Sequence, residues 1–144
     1  MNDKYECLKL DSQLCFSLYA CAKEITRIYK PYLDKIDLTY TQYVAMMVMW
    51  EEKEAKLKHI GTRLDLDSGT LTPLFKKLEE KGYVERIKDE SDERNLILKL
   101  SKKGEELKEK AKDIPFCIKE QINLSEEELY NLFLSLKKMR ASFK

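Results

Sequence analysis

The sequence predicts a mainly α-helical fold that contains a small β-hairpin, and three observations support this class. First, the 144 residues include only 4 Gly and 3 Pro, which is too few for the many tight turns of an all-β domain. Second, apolar residues recur at helical spacing over several long stretches. Third, two neighbouring segments, YVERIK and NLILKL, have the pattern of paired strands. The length fits one domain that covers residues 1–144.

The N-terminal part of the chain predicts two helices. Residues 12–33 carry apolar side chains at roughly helical spacing, and Asp11 or Ser12 is expected to be the N-cap. Thr39 and Gln42 fit a capping box at the start of the next helix. That helix includes the run VAMMVMW, which is apolar on nearly every side. We therefore expect it to form the buried centre of the fold.

Residues 55–100 follow the element order of a winged helix-turn-helix. A short strand at residues 55–57 precedes a brief helix at 58–64, the turn DLD and a longer helix. The longer helix begins after Asp67 and ends at Gly82, a residue suited to a left-handed cap. The strands YVERIK and NLILKL then form a hairpin whose connecting loop, KDESDERN, is wholly polar and charged.

The remaining segments predict flanking helices. Ser101 can cap a helix over residues 102–114, which Pro115 should end or kink. Ser125 opens a second capping box before the last helix. These helices and the first one carry apolar stripes that so small a module cannot cover, so we expect a homodimer. The predicted dimerisation helices cover residues 10–33 and 102–144.

Composition and charge exclude several classes of protein. No apolar run approaches the roughly 18 residues of a membrane span, and the N-terminus lacks the apolar segment of an export signal. A cytoplasmic protein without a membrane partner is therefore expected, with its four cysteines reduced. The cysteines form no CxxC pair and lie far from the single histidine, so neither a metal site nor a cofactor is predicted. With a net charge of +1, any basic surface must be local.

The start of the longer helix and the tip of the hairpin are the candidate DNA contacts. The segment DSGT has small side chains and free N–H groups, which suit close approach to a major groove and its phosphates. The following KK pair can contact phosphates. Arg94 can enter a minor groove while Asp92 holds its guanidinium in a bidentate pair. The alternative is a solvated surface. The predicted DNA-binding residues are Asp67, Ser68, Gly69, Thr70, Lys76, Lys77, Arg86, Asp92 and Arg94.

The stretch LDLDSGTLTPLFKKLEEKGYVERIKDESDERNLILKLSKKG closely resembles the MarR family of winged-helix repressors. Its most specific parts are DSGTLTPL and the DER triplet of the hairpin. LTYTQY and QLCF extend the resemblance to the organic-hydroperoxide-sensing (OhrR-like) branch. The resemblance implies a homodimer that binds an inverted-repeat operator in double-stranded DNA. It also implies that the longer helix starts before Pro73, whereas Pro73 alone would favour a start at Thr72.

A thiol at the start of the first helix is a second candidate site. With Ser12 as the cap, Cys15 is the third helical residue, near the free N–H groups of the first turn. The helix dipole there favours a thiolate by roughly 0.3–1 kcal/mol, which is too little by itself. Hydrogen bonds to the thiolate can add about 1.5–3 kcal/mol each, and Tyr19 lies one turn along the same face. The alternative is that Cys15 is a small core residue.

The resemblance adds three residues to this site. Tyr29 and Tyr40 match tyrosines that hydroperoxide-sensing relatives direct at the thiol from the partner subunit. Cys117 lies in the helical region where two-cysteine relatives carry a resolving thiol, although it could simply pack there. The resemblance thus implies a redox sensor in which an organic hydroperoxide or another oxidant converts Cys15 to a sulfenic acid, and DNA is released.

Two other functions remain open at this point. A repressor of the same family could instead be gated by a small aromatic anion bound near the dimer interface. Replacing Cys15 by Ser separates that protein from a thiol sensor, because a ligand-gated repressor would keep its response. A thiol peroxidase would be an enzyme, but the sequence shows no motif for thiol recycling. We therefore expect a regulator and not an enzyme.

Overall fold

The computed structural model describes residues 3–92 and 94–144. Two short 3-10 turns, Glu6–Leu8 and Leu10–Ser12, precede the first helix. The chain divides into two compact units, Met1–Ile114 and Pro115–Lys144. The elements are α1 (Leu14–Asp34), α2 (Tyr40–Glu52), β1 (Glu54–Lys56), α3 (Leu57–Leu64), α4 (Ser68–Glu80), β2 (Val84–Lys88), β3 (Leu96–Leu100), α5 (Lys102–Ala111), α6 (Ile114–Gln121) and α7 (Glu126–Ser142).

The helix α2 is the centre of the first unit, as predicted. Its capping box is present: the hydroxyl of Thr39 accepts from the N–H of Gln42, and the Gln42 side chain accepts from the N–H of Thr39. Tyr43, Met46 and Met49 are almost completely buried. A helix with so little polar surface is stable only inside a core, and the remaining elements of the unit supply that cover.

The predicted hairpin is part of a three-stranded antiparallel sheet with the order β1-β3-β2. Leu98 in the central strand is fully buried and lies opposite Ala55 on one side and Arg86 on the other. The strand added to the hairpin is β1. Lys53, which follows α2, has a positive φ of 65°, and this turn places β1 alongside β3. This strand begins one residue earlier than expected.

The helix-turn-helix consists of α3, a tight turn and α4. Asp65 adopts a φ of 54° in this turn. A Cβ atom at Gly61 would lie 2.7 Å from the carbonyl oxygen of Leu66, so only glycine allows the turn to approach α3 this closely. The carboxylate of Asp67 caps α4 by accepting from the N–H of Thr70 at 2.8 Å. Pro73 lies inside α4, which confirms the early start of this helix.

The predicted N-cap of α1 was wrong. Ser12 belongs to the preceding 3-10 turn, and Gln13 occupies the N-cap position of α1. The side chain of Gln13 does not cap the helix, because its amide donates to the carbonyl oxygens of Cys7 and Lys9 at 2.6 and 2.8 Å. The helix therefore starts at Leu14, two residues later than expected.

The predicted effect of Pro115 was also wrong. Helix α5 ends at Ala111, and Pro115 lies in the first turn of α6. Proline is tolerated there because an N–H group in the first helical turn has no intrahelical partner to lose. The cap of α5 was predicted correctly, since the hydroxyl of Ser101 accepts from the N–H of Gly104 at 3.0 Å.

The second unit contains most of α6 and all of α7. Ser125 and Glu128 form the predicted capping box of α7. Several large apolar side chains of this unit are exposed, namely Phe116, Tyr130, Leu132, Phe133, Leu134 and Phe143. The N-terminal part of α1 likewise exposes Leu14, Phe16 and Tyr19. Over the described residues, no helix is both long and apolar enough to span a membrane.

Candidate nucleic-acid interface and thiol site

The first turn of α4 presents the four small residues that the sequence singles out. Asp67, Ser68, Gly69 and Thr70 are all exposed. Asp67 caps the helix through Oδ1, and its predicted contact with DNA stays a prediction. A Cβ atom at Gly69 would find only Asp67 Oδ1 within 4 Å, at 3.3 Å. The space above this glycine is therefore open to a base edge or a sugar.

The two lysines of α4 have different surroundings, although the sequence treats them alike. Both Lys76 and Lys77 are exposed. Lys77 also lines a groove of about 620 Å³ together with Asp34, Asp37 and Glu80. Lys81 lines the same groove and pairs with Asp37 at 3.3 Å, and a contact of either Lys76 or Lys77 with DNA stays a prediction.

The wing, which consists of β2, β3 and the loop that connects them, carries the predicted pair between Asp92 and Arg94. The guanidinium of Arg94 donates from Nε to Asp92 Oδ1 at 3.1 Å and from Nη2 to Oδ2 at 3.3 Å. These bonds lower the pKa of the Asp92 carboxyl. The Arg94 side chain is 91% exposed, so the pair holds a cation outside the protein surface in a defined direction. Glu93, the middle residue of the DER triplet, lies outside the described residues.

Arg86 has a structural partner that the sequence did not indicate. Its Nε atom donates to Oε2 of Glu79 at 3.1 Å, and its backbone N–H donates to the same oxygen at 3.2 Å. Arg86 therefore joins β2 to α4. A contact of Arg86 with DNA stays a prediction.

A groove of about 770 Å³ brings the separately predicted parts of the interface together. Ser68 from α4 and Arg94 from the wing both line it. Lys56 at the end of β1, and Lys58 and Thr62 from α3, lie in the same groove. The sequence analysis missed these three residues, although the segment KEAKLKH carries a visible concentration of lysine. The groove is lined by three cations (Lys56, Lys58 and Arg94) and two aspartates (Asp65 and Asp67), so its positive charge is concentrated at β1, the start of α3 and the wing.

Cys15 is an exposed residue of the first turn of α1. Because Gln13 is the N-cap, it is the second helical residue and not the third. The aromatic ring of Tyr19 is also exposed, and the ammonium group of Lys23 lies 5.3 Å from its centroid. Across residues 3–92 and 94–144 of one chain, no hydrogen bond reaches the sulfur. Cys15 is not a core residue of the single chain.

Tyr29 and Tyr40 lie together, apart from Tyr19. Their ring centroids are 5.0 Å apart, and the ring of Tyr43 lies 5.7 and 6.3 Å from them. Burial, reinforced by the neighbouring Tyr40, raises the pKa of Tyr29, so its phenol remains a hydrogen-bond donor at physiological pH. The sequence analysis missed Tyr43, whose ring packs against those of Tyr29 and Tyr40 and also contacts the ring of Trp50.

The remaining cysteines differ in exposure. Cys7 and Cys21 are exposed, whereas Cys117 in α6 is partly buried. Within the part of the chain that the structure describes, no group of three or more histidine, cysteine or acidic residues is arranged to hold a metal ion.

Comparisons with known proteins place these features in a family. The sequence profile of the family described as transcriptional regulator SarA/Rot matches residues 27–111. The organic hydroperoxide resistance transcriptional regulator of Bacillus subtilis (strain 168) is 46% identical over 132 residues, which cover 92% of this chain and 90% of that protein. The regulator SarZ of Staphylococcus haemolyticus is 46% identical over 128 residues, covering 89% and 87% of the two chains.

Solved structures of the Staphylococcus epidermidis protein AbfR are also similar to this chain. Reduced AbfR bound to DNA has a TM-score of 0.81 and 34% identity, with 98% of this chain and 99% of AbfR covered. Overoxidised AbfR bound to DNA has a TM-score of 0.80 and 35% identity, covering 99% and 100%. Disulfide-formed AbfR has a TM-score of 0.67 and 35% identity, covering 94% and 96%.

Proposed function

Because the chain belongs to the SarA/Rot family of MarR-like transcriptional regulators, we propose that it is a homodimeric, redox-sensing repressor. In its reduced form it binds an inverted-repeat operator in double-stranded DNA. It releases this operator when an organic hydroperoxide or a related oxidant converts Cys15 to a sulfenic acid. It acts on DNA in the cytoplasm without a cofactor and does not turn over a substrate as an enzyme.

The DNA-binding part of the proposal is supported by the groove between α4 and the wing. In a dimer, two copies of α4 enter successive major grooves, about 34 Å apart along the operator. The side chains of Ser68 and Thr70 and the N–H groups of Ser68 and Gly69 lie at the exposed start of α4, where they can reach bases and phosphates. Arg94 follows the adjacent minor groove, where a narrow A·T-rich segment concentrates negative potential.

The redox part is carried by one observation: Cys15 is exposed in the uncapped first turn of α1, in a chain 46% identical to an organic hydroperoxide resistance regulator. The thiolate is the form of a cysteine that reacts with a peroxide. The thiolate attacks one oxygen of the hydroperoxide, so that an S–O bond forms and the O–O bond breaks. The sulfur loses two electrons to the peroxide, whose other oxygen takes up a proton and leaves as an alcohol.

The release of DNA follows from loss of the thiolate. Tyr29 and Tyr40 are proposed to donate to this sulfur across the dimer, and a sulfenic acid accepts those hydrogen bonds less strongly. The two phenols pack on Tyr43 of α2. Tyr43 contacts Trp50, whose Nε1 donates to the carbonyl oxygen of Gly104 in α5 at 2.9 Å. A shift of the two phenols therefore moves α2, the central helix that packs against α4. This movement changes the distance between the two copies of α4 in the dimer.

The proposal is tested by DNA binding with and without an organic hydroperoxide. Reduced protein is titrated by fluorescence anisotropy against the region upstream of its own gene, before and after treatment with tert-butyl hydroperoxide. Wild type and Cys21→Ser should bind when reduced and release DNA after treatment. Cys15→Ser should bind and stay bound. Cys21 is a matched control because it is another exposed thiol of α1.

The possible outcomes separate the proposed function from its alternatives. Release of DNA by Cys15→Ser would contradict thiol sensing and favour a ligand-gated repressor. Absence of binding to any tested DNA, combined with steady consumption of peroxide in the presence of a reductant, would favour a thiol peroxidase.

A further inference from the structure

A buried carboxylate lies at the base of the wing, where the sequence predicts only solvent-exposed charge. The side chain of Asp89 is 10% exposed, whereas the neighbouring Glu90 is an exposed residue. Burying a carboxylate is unfavourable unless it accepts hydrogen bonds or pairs with a cation. The partners of Asp89 therefore determine what it does.

Both oxygens of the Asp89 carboxylate have partners. Oδ1 accepts from the backbone N–H of Ser91 at 3.0 Å and from its hydroxyl at 2.6 Å. Oδ2 accepts from the amide of Asn95 at 3.4 Å and lies 3.5 Å from the ammonium group of Lys56. The bonds from Ser91 in particular lower the pKa of Asp89 to about 2, so the group is ionised at any pH at which DNA binding is measured. The carboxylate thus ties both sides of the wing loop to β1.

Backbone hydrogen bonds extend this arrangement to the residue that holds Arg94. The N–H of Asp92 donates to the carbonyl oxygen of Asp89 at 3.2 Å, and the N–H of Asn95 donates to that of Asp92 at 3.0 Å. Asp92 then accepts from the guanidinium of Arg94. Because the Arg94 side chain is almost fully exposed, its direction depends on Asp92 and on the loop that carries Asp92.

We propose that Asp89 is a positioning residue for DNA binding, which holds the wing loop so that the Asp92–Arg94 pair points into the minor groove. This inference rests on the proposed function, since it requires the wing to contact DNA. It predicts that removal of this negative charge weakens DNA binding, which is the opposite of the simple electrostatic expectation. A negative charge near DNA repels phosphates, so Coulomb's law alone predicts tighter binding when the charge is removed. A positioning role predicts weaker binding.

The sign is tested by comparing Asp89→Asn with Glu90→Gln in the full-length, reduced protein. Both substitutions remove one negative charge from the same loop and preserve the size of the side chain. We expect Asp89→Asn to weaken operator binding roughly tenfold, because an amide cannot accept the same set of hydrogen bonds. Glu90→Gln should bind as wild type does or slightly tighter. Thermal denaturation and size-exclusion chromatography of each variant verify the fold and the dimer.

A second variant keeps the test valid if Asp89→Asn folds poorly. Ser91→Ala removes only the hydroxyl that donates to Asp89 at 2.6 Å, and it should weaken binding in the same direction but less. Binding as tight as wild type by both Asp89→Asn and Ser91→Ala would overturn the inference.

A double-mutant cycle separates positioning from a general structural effect. In an Arg94→Ala background, Asp89→Asn should change operator affinity by less than about twofold, because there is no longer a guanidinium to position. A loss that persists undiminished in that background would overturn the positioning role. If Arg94→Ala itself binds as wild type does, the wing part of the proposed function fails, and this inference fails with it. If Arg94→Ala is weakened but Asp89→Asn is not, only the inference fails.

Discussion

Among the four glycines of the chain, Gly104 leaves the least room for a side chain. A Cβ atom there would overlap the carbonyl oxygen of Tyr83 and would lie 2.7 Å from Cδ1 of Leu100. The backbone of Gly104 is also fixed, since its N–H donates to Ser101 and its carbonyl oxygen accepts from Trp50. The start of α5 can therefore not move away without loss of two hydrogen bonds.

Gly104→Ala should lower the free energy of unfolding by about 1–3 kcal/mol, because the added methyl group overpacks a buried contact. Urea denaturation of the reduced protein measures this change. Gly69→Ala is the matched control. Gly69 lies in the exposed first turn of α4, where an added Cβ atom would lie 3.3 Å from the side-chain oxygen Asp67 Oδ1 and near no backbone oxygen, so the substitution should cost much less than Gly104→Ala. Equal stability of Gly104→Ala and wild type would contradict the tight contact.

Single residues were predicted from the sequence where the signal is local. The Asp92–Arg94 pair is of this kind, because two residues of opposite charge in one turn can pair whatever the rest of the chain does. Asp89 is in the same loop, yet its burial was not predicted. Its partners Ser91 and Asn95 are in the same loop, but Lys56 is 33 positions away in sequence and becomes a neighbour only when β1 pairs with β3. The support that Tyr43 gives to Tyr29 likewise depends on how α1 packs on α2.

At the scale of elements, the wing holds one cation, the guanidinium of Arg94, at its tip. β2 and β3 pair over five residues each, and the loop between them presents the Arg94 guanidinium to solvent. Arg94→Ala should weaken operator binding by about 1–3 kcal/mol while leaving the dimer and the reaction with peroxide intact. Titrations at several salt concentrations measure this effect, because lost minor-groove contacts also change the salt dependence.

Arg27→Ala is the matched control for the wing. It removes the same charge from α1, where Arg27 is exposed and pairs with Glu24. The control should retain wild-type affinity. If both variants lose the same affinity, the effect is one of net charge, and the wing has no specific role.

Elements were predicted best where capping residues mark their ends. The capping boxes of α2 and α7 and the caps of α4 and α5 are all present at the predicted residues. The start of α1 was wrong because a serine is a good cap only when its side chain reaches the helix, and a preceding 3-10 turn displaced it. Pro115 was misread because proline breaks a helix interior but fits a first turn.

At the scale of the whole molecule, the thiol site is incomplete in one chain. Cys15 is exposed, and the two phenols proposed to donate to it lie elsewhere in the same unit. The exposed apolar side chains of the first part of α1 and of the second unit need cover in solution. In the proposed homodimer, a second copy of the chain would supply both that cover and the proposed donors, Tyr29 and Tyr40. The sequence predicts the dimer through these apolar stripes, and its resemblance to hydroperoxide-sensing relatives predicts that the two phenols reach the thiol across the interface.

The fate of the sulfenic acid is also a property of the dimer. A second thiol within reach would condense with it, releasing water and forming a disulfide. Cys117 is the cysteine of the second unit and is partly buried in α6. Because α5 ends at Ala111 and α6 begins at Ile114, the break between these helices is where a movement of Cys117 would start. A disulfide requires Cα atoms within about 7 Å of each other. AbfR, which is 35% identical, has been solved in a disulfide form.

We therefore expect hydroperoxide to produce a disulfide between Cys15 of one subunit and Cys117 of the other. Non-reducing electrophoresis of treated wild type should show a covalent dimer of about twice 17.1 kDa, which a reductant converts back to the monomer. The band should be absent in both Cys15→Ser and Cys117→Ser, because each variant lacks one sulfur of the bond. Cys7→Ser and Cys21→Ser should keep it, since these exposed cysteines control for random oxidation. A covalent dimer of Cys117→Ser, or a wild-type monomer that captures a small thiol, would show that Cys15 acts without a resolving cysteine.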